Sequence, residues 1–143
     1  MANETLGAAA YIKARLDADA ALVAVVSTRV YQGVAPQGDT YPLVVYSLQA
    51  SRDINALGGL RVCTWPLWLV KVIGSNGPAA LQGAADRIDA ALVSRTVVET
   101  TIGGVTYETQ CIREATVAYQ DVSDGRRYDH IGGLYRLWCR VKP

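Results

Sequence analysis

The hydrophobic pattern is most informative at residues 60–73 (LRVCTWPLWLVKVI), a strand-like run with large apolar groups at both odd and even positions. As a strand, this run sends Cys63, Trp65, Leu67 and Leu69 to one side and Val62, Trp68, Val70 and Val72 to the other. An antiparallel sheet with one wet face shows polar residues on that face. Neither face here is polar, so either helices cover both sides or one side is kept for a partner or a second copy. Pro66 cannot donate to a ladder, which predicts a bulge or an edge position for this strand.

Period 3.6 appears twice. Residues 5–16 carry Thr5, Ala8, Ala9, Ile12 and Leu16 along one side, an alanine-rich stripe that lets a helix lie close to its support. Asp19 fits the N-cap of a second, short helix over 20–26. Leu81, Ala84, Ala85, Ile88 and Leu92 form the buried stripe of a helix running from Pro78 to about Val93, with Gln82, Asp86 and Asp89 on its wet side.

The remaining runs read as strands and turns. Short strands are predicted over 29–34 and 41–48, with the loop APQGDT (35–40) between them. Residues 49–59 (QASRDINALGG) read as a long polar loop, with Arg52 and Asp53 near its tip. Strands over 97–102 and 105–119 join at Gly103-Gly104, whose free backbone suits a two-residue hairpin turn. Residues 120–129 read as another loop. The closing strand, 134–141, places Tyr135, Leu137, Cys139 and Val141 on a core face and Arg136, Trp138 and Arg140 opposite. The order predicts an α+β fold: one domain over 1–143, a mainly antiparallel sheet and two main helices on one face.

Composition removes several functions. A net charge of +1 with interspersed signs gives no polyanion-binding face. No segment reaches the roughly 20 apolar residues of a membrane span, and no signal-peptide pattern opens the chain, so a cytoplasmic site of synthesis is expected. Cys63, Cys111 and Cys139 lack C-x-x-C spacing and read as buried, reduced thiols. The aromatic set is eight Tyr and three Trp with no Phe, which suits interfaces as well as cores.

Chemistry is thin. His130 is the sole histidine, too few for a zinc set, and is expected to be structural or surface-lying. A catalytic reading would rest on His130 or on a carboxylate such as Glu108 or Glu114. The pairs Gly58-Gly59, Gly103-Gly104 and Gly132-Gly133 lack P-loop and dinucleotide spacing and read as turns or strand entries. Asp86 and Asp89 read as a solvated helix face. Arg126, Arg127, Arg136, Arg140 and Lys142 are interrupted by Asp121, Asp124 and Asp129, a pattern of solvated charge or intersubunit ion pairs. No cofactor, metal or catalytic residue is expected.

Five segments carry a family resemblance: YIKARLDADAALVAVVSTRVY (11–31), TYPLVVYSL (40–48), SRDINALGG (51–59), ALQGAADRIDAAL (80–92) and DGRRYDHIGGLYRLWCRV (124–141). With the order of elements around them, the chain resembles the tail terminator, or tail completion, proteins of long-tailed bacteriophages. The resemblance implies a homo-oligomeric ring of six copies that caps the head-proximal end of the tail tube in the virion. Its partners would be the tail tube protein and a head-completion or neck protein, with DNA only in transit through the lumen and no membrane. By position, Arg52, Asp53 and Asn55 become candidates for ring or tube contact, with Arg126 and Arg127 in a second loop and Arg136, Trp138 and Arg140 on the closing strand. Two other readings stay open: a different neck component, such as a head-closure or adaptor protein, and a small α+β ligand-binding module with Trp65, Trp68 and Trp138 around a pocket.

Overall fold

The computed structural model describes residues 3–143. Helix α1 (Glu4–Ala18) begins at Asn3, whose side chain accepts from the Thr5 N–H at 3.0 Å. Ala8 and Ala9 of the predicted stripe are buried, and Gly7 beside them brings the helix closer still. A Cβ on Gly7 would meet the Tyr107 ring at 2.5 Å, so the helix rests directly on that ring. Asp19 caps α2 (Ala20–Val26) through the Leu22 N–H. Helix α3 (Ala79–Leu92) buries Leu81, Ala84, Ile88, Ala91 and Leu92. Each of its three large side chains stabilises the packing by roughly 1.5–3 kcal/mol.

Six strands form one curled sheet: β1 (Val30–Gln32), β2 (Leu43–Asn55), β3 (Arg61–Gly74), β4 (Val98–Ile102), β5 (Val105–Ser123) and β6 (Arg126–Val141). Their spatial order is β1-β2-β3-β6-β5-β4, antiparallel throughout except for the β1/β2 pair. The helices cover one face, against Tyr46, Trp68, Val70, Val72, Tyr135 and Leu137. The fold is therefore α+β, as the pattern predicted.

The two apolar sides of β3 have different fates. Trp68, Val70 and Val72 lie under the helices, whereas Leu67, Leu69 and Ile73 are half-buried on the uncovered face and Trp65 is 41% exposed there. Pro66 corrects its own expectation, since β3 is an interior strand, paired with β2 and β6, and does not bulge at that residue. Instead the ladder to β6 skips Trp65 and Pro66, and the Trp65 carbonyl accepts from Arg136 Nη1 at 3.2 Å.

Both long loops are corrected as well. Residues 49–55 continue β2 after a register shift between Leu48 and Ala50, so only 56–60 turn, closed by the Ala56 N–H donating to the Leu60 carbonyl at 2.7 Å. Residues 120–129 are the ends of β5 and β6 around a tight turn at Asp124-Gly125. His130, Gly132 and Gly133 thus lie inside β6 rather than at a turn or strand entry. At Gly132 the reason for glycine is contact: a Cβ would sit 2.0 Å from the Val70 carbonyl oxygen of β3. The Gly103-Gly104 turn is as expected, with φ of +56° and +80°.

Candidate functional site

Register fixes which side chains share the uncovered face. Arg52 of β2, Trp65 of β3, Trp138 of β6 and Gln110 of β5 stand in one cross-strand row, because Arg52 pairs with Trp65 and Gln110 with Trp138. Next to it runs Leu67, Arg136 and Ile112. The curl of the sheet turns these rows into an open concavity of about 710 Å³, lined by Arg52, Trp65, Ile112, Glu114, Arg136 and Trp138 among others. Its floor is aromatic and aliphatic. Trp65 is 41% and Ile112 55% exposed, a concentration of apolar surface that usually marks a binding face.

The charges around this floor are mostly neutralised within the chain. Arg136 holds Glu114 at 3.1 Å, and Arg140 holds Glu108 at 2.6 Å while its guanidinium lies 5.1 Å from the Trp138 ring centre. These cross-strand pairs stiffen β5 against β6. Arg52 has no ion pair or hydrogen bond among the described residues.

The eight sequence candidates therefore divide by place. Arg52, Arg136 and Trp138 meet at the concavity, with Arg140 beside it. Asp53, one step along β2, faces the helix side, where it accepts from the Thr64 hydroxyl at 3.0 Å and lies 4.0 Å from Arg61. Arg61 in turn reaches Glu4 at 2.8 Å, tying the hairpin to the start of α1. Asn55 is exposed at the end of β2. Arg126 and Arg127 lie at the far end of the molecule, where Arg127 is 3.6 Å from Asp129. Of the three tryptophans, Trp65 and Trp138 line the concavity, whereas Trp68 is a core residue 5.8 Å from Tyr46, ring centre to ring centre. Ile112 and Glu114 join the site without having been singled out for it. Alternation from the Gly103-Gly104 turn could have found Ile112, but the register shift between Arg113 and Ala115 hides Glu114 from any fixed period.

Two hairpins extend the sheet in opposite directions. β3 meets the C-terminal end of β6 at Thr64/Cys139 and its N-terminal end at Gly74/Asp129. The β2–β3 turn thus projects from one end, with Leu57 fully exposed and Leu60 75% exposed. The β5–β6 hairpin projects from the other, past the end of β3, with Val122 69% exposed. Tyr41 braces its base against Tyr128 at 4.8 Å.

Several titratable groups elsewhere are buried. Burial raises the thiols of Cys63, Cys111 and Cys139, the last two to about 12 and about 11, and all three are free. His130 stacks on Tyr119 at 4.4 Å, and burial followed by the Lys71 charge lowers its pKa. Asp89 is not simply a wet-side residue, since it accepts from the Tyr135 hydroxyl at 3.2 Å. Among the described residues no three metal-binding side chains gather, and no helix is long and apolar enough to cross a membrane.

The chain thus has one covered sheet face, one apolar open face and a hairpin at either end. The sequence pattern of the tail completion protein gp17 family matches residues 10–142, and the chain belongs to that family. It is a structural protein of a phage tail. Among curated proteins none matches the chain. A solved chain from the virion of a native gene transfer agent particle has the same fold, with a TM-score of 0.58 at 23% identity over 92% of each chain. A second solved structure gives 0.59 at 16% identity, covering 100% of this chain and 99% of its own.

Proposed function

We propose that six copies of this protein close into a ring on the head-proximal end of the tail tube, stop its growth and offer the surface that the head-completion protein joins. The observation that carries this reading is the presence of two unlike surfaces on one subunit, the Trp65/Trp138 concavity and the protruding hairpins. A cyclic ring needs such a pair, because each subunit docks one patch into a different patch of its neighbour. Family membership supports the tail as the place, and likeness to a chain of a gene transfer agent virion supports a virion setting. Assembly would take place in the host cytoplasm. DNA passes through the lumen, and a net charge of +1 favours passage over gripping.

Electron microscopy of lysates from a phage lacking this gene tests the proposal. Filled heads without tails, beside tubes of uncontrolled length, are the expected result. Normal virions would remove the reading, and tubes of normal length beside unjoined heads would transfer it to a head-closure or adaptor protein. The two indoles at the concavity favour a small-ligand module as the second reading. A tryptophan fluorescence screen against a metabolite library would then show saturable shifts.

A further inference from the structure

The concavity and the β5–β6 hairpin complement one another in charge and in apolar surface. Arg52, on the rim of the concavity, is an uncommitted guanidinium beside an aromatic floor. The hairpin turn carries Asp121 and Asp124, neither with an ion pair or hydrogen bond among the described residues, around the exposed Val122. Arg126, just past the turn, is likewise uncommitted and is opposite in sign to Glu114 of the concavity.

The hairpin cannot reach the concavity of its own subunit. Gln110 lies level with Trp138 and Trp65, whereas Asp121 lies eleven residues farther along the same strand. At about 3.4 Å per residue that separation is roughly 37 Å. β5 is paired with β6 down to the turn, so no fold-back is available.

We infer that the β5–β6 turn of one copy seats in the Trp65/Trp138 concavity of the next, with Val122 against the indoles and Asp124 on Arg52. This contact rests on the ring reading and specifies how the ring closes. Because hairpin and concavity are different patches, the contact is head-to-tail and continues from copy to copy until it closes. In a ring of six, the spacing between neighbouring concavities equals their distance from the axis. Val122, the residue that seats, lies twelve residues beyond Gln110, so the hairpin-to-concavity span, roughly 41 Å at about 3.4 Å per residue, sets that radius.

The test uses the full chain with isolated tail tubes. Arg52→Asp and Asp124→Arg are made singly and together, and capped tubes are counted by negative-stain electron microscopy, with the melting temperature of each variant as a check on folding. Each single variant is expected to reduce capping at least tenfold, and the double variant to restore it to within about threefold of the parent. Single variants that cap normally, or a double variant no better than either single, would overturn the contact. Loss with Arg52→Asp but not with Asp124→Arg would give the concavity to a different protein and likewise overturn it. Parent protein that forms no ring on tubes would remove the ring reading itself, and the contact with it.

Discussion

Arg52 and Asp53 are neighbours in sequence and point to opposite faces of the sheet. Arg52 stands across from Trp65 at the open concavity, while Asp53 accepts a hydrogen bond from the buried Thr64 hydroxyl on the helix side. One step along a strand reverses the side, so the two charges have different duties.

Arg52→Glu is therefore expected to leave stability within about 0.5 kcal/mol of the parent, as for an exposed surface change. Asp53→Ala strips Thr64 of its partner and removes a charge near Arg61, at a cost of about 0.5–1.5 kcal/mol. Urea denaturation of the two variants measures the difference. Equal losses in both would contradict the assignment of Asp53 to the fold.

Legibility in the sequence followed burial. The α3 stripe, the Gly103-Gly104 turn and the inward set Tyr135, Leu137, Cys139 were readable because one side of each element packs on a core. Residues 49–53 and 120–127 are exposed on both sides, and their strand character rests on backbone pairing that leaves no hydrophobic period. The concavity was half legible. Two-sided apolarity of β3 announced an open face, but which tryptophans share it depends on the β3/β6 register, and Glu114 sits at a register shift between Arg113 and Ala115 that no alternation rule foresees.

At Gly132 the strands approach too closely for any side chain. Gly132→Ala must push either β3 or β6 aside, because the obstacle is the Val70 backbone oxygen rather than a flexible tip. Overpacking of this kind costs about 1–3 kcal/mol, occasionally more. Gly83→Ala, on α3, is the control: nothing lies within 4 Å of the added carbon, and helix propensity favours alanine. Thermal melting should fall for the first and hold or rise for the second.

His130 sets a pH dependence. Burial and Lys71 outweigh the pull of Asp121 and Asp129, so the native pKa lies below the reference value of 6.5. The unfolded chain then binds more protons near pH 6, and stability is fully present above 6.5 and declines as pH falls toward the native pKa. The lowered pKa values of Asp19 and Asp39 start from 3.8 and act in a more acidic window. Urea midpoints at pH 7.5 and 5.5 should show a drop in the parent and a smaller drop in His130→Gln. A parent that grows more stable at pH 5.5 would reverse the sign and refute the account.

The three tryptophans give an optical report on the open face. Trp68 is 1% exposed beneath the helices, whereas Trp65 is 41% exposed at the concavity and Trp138 is half-buried beside it. Acrylamide should therefore quench free subunits mainly through Trp65, and Trp65→Tyr should remove most of the quenchable emission while Trp68→Tyr leaves it in place. The distinction matters because assembly through the concavity must shield Trp65 from solvent. Protein seated on tail tubes should then show quenching reduced to the level of the Trp65→Tyr variant. Unchanged quenching on capped tubes would mean that the ring forms through other surfaces and that the concavity faces solvent in the assembled tail.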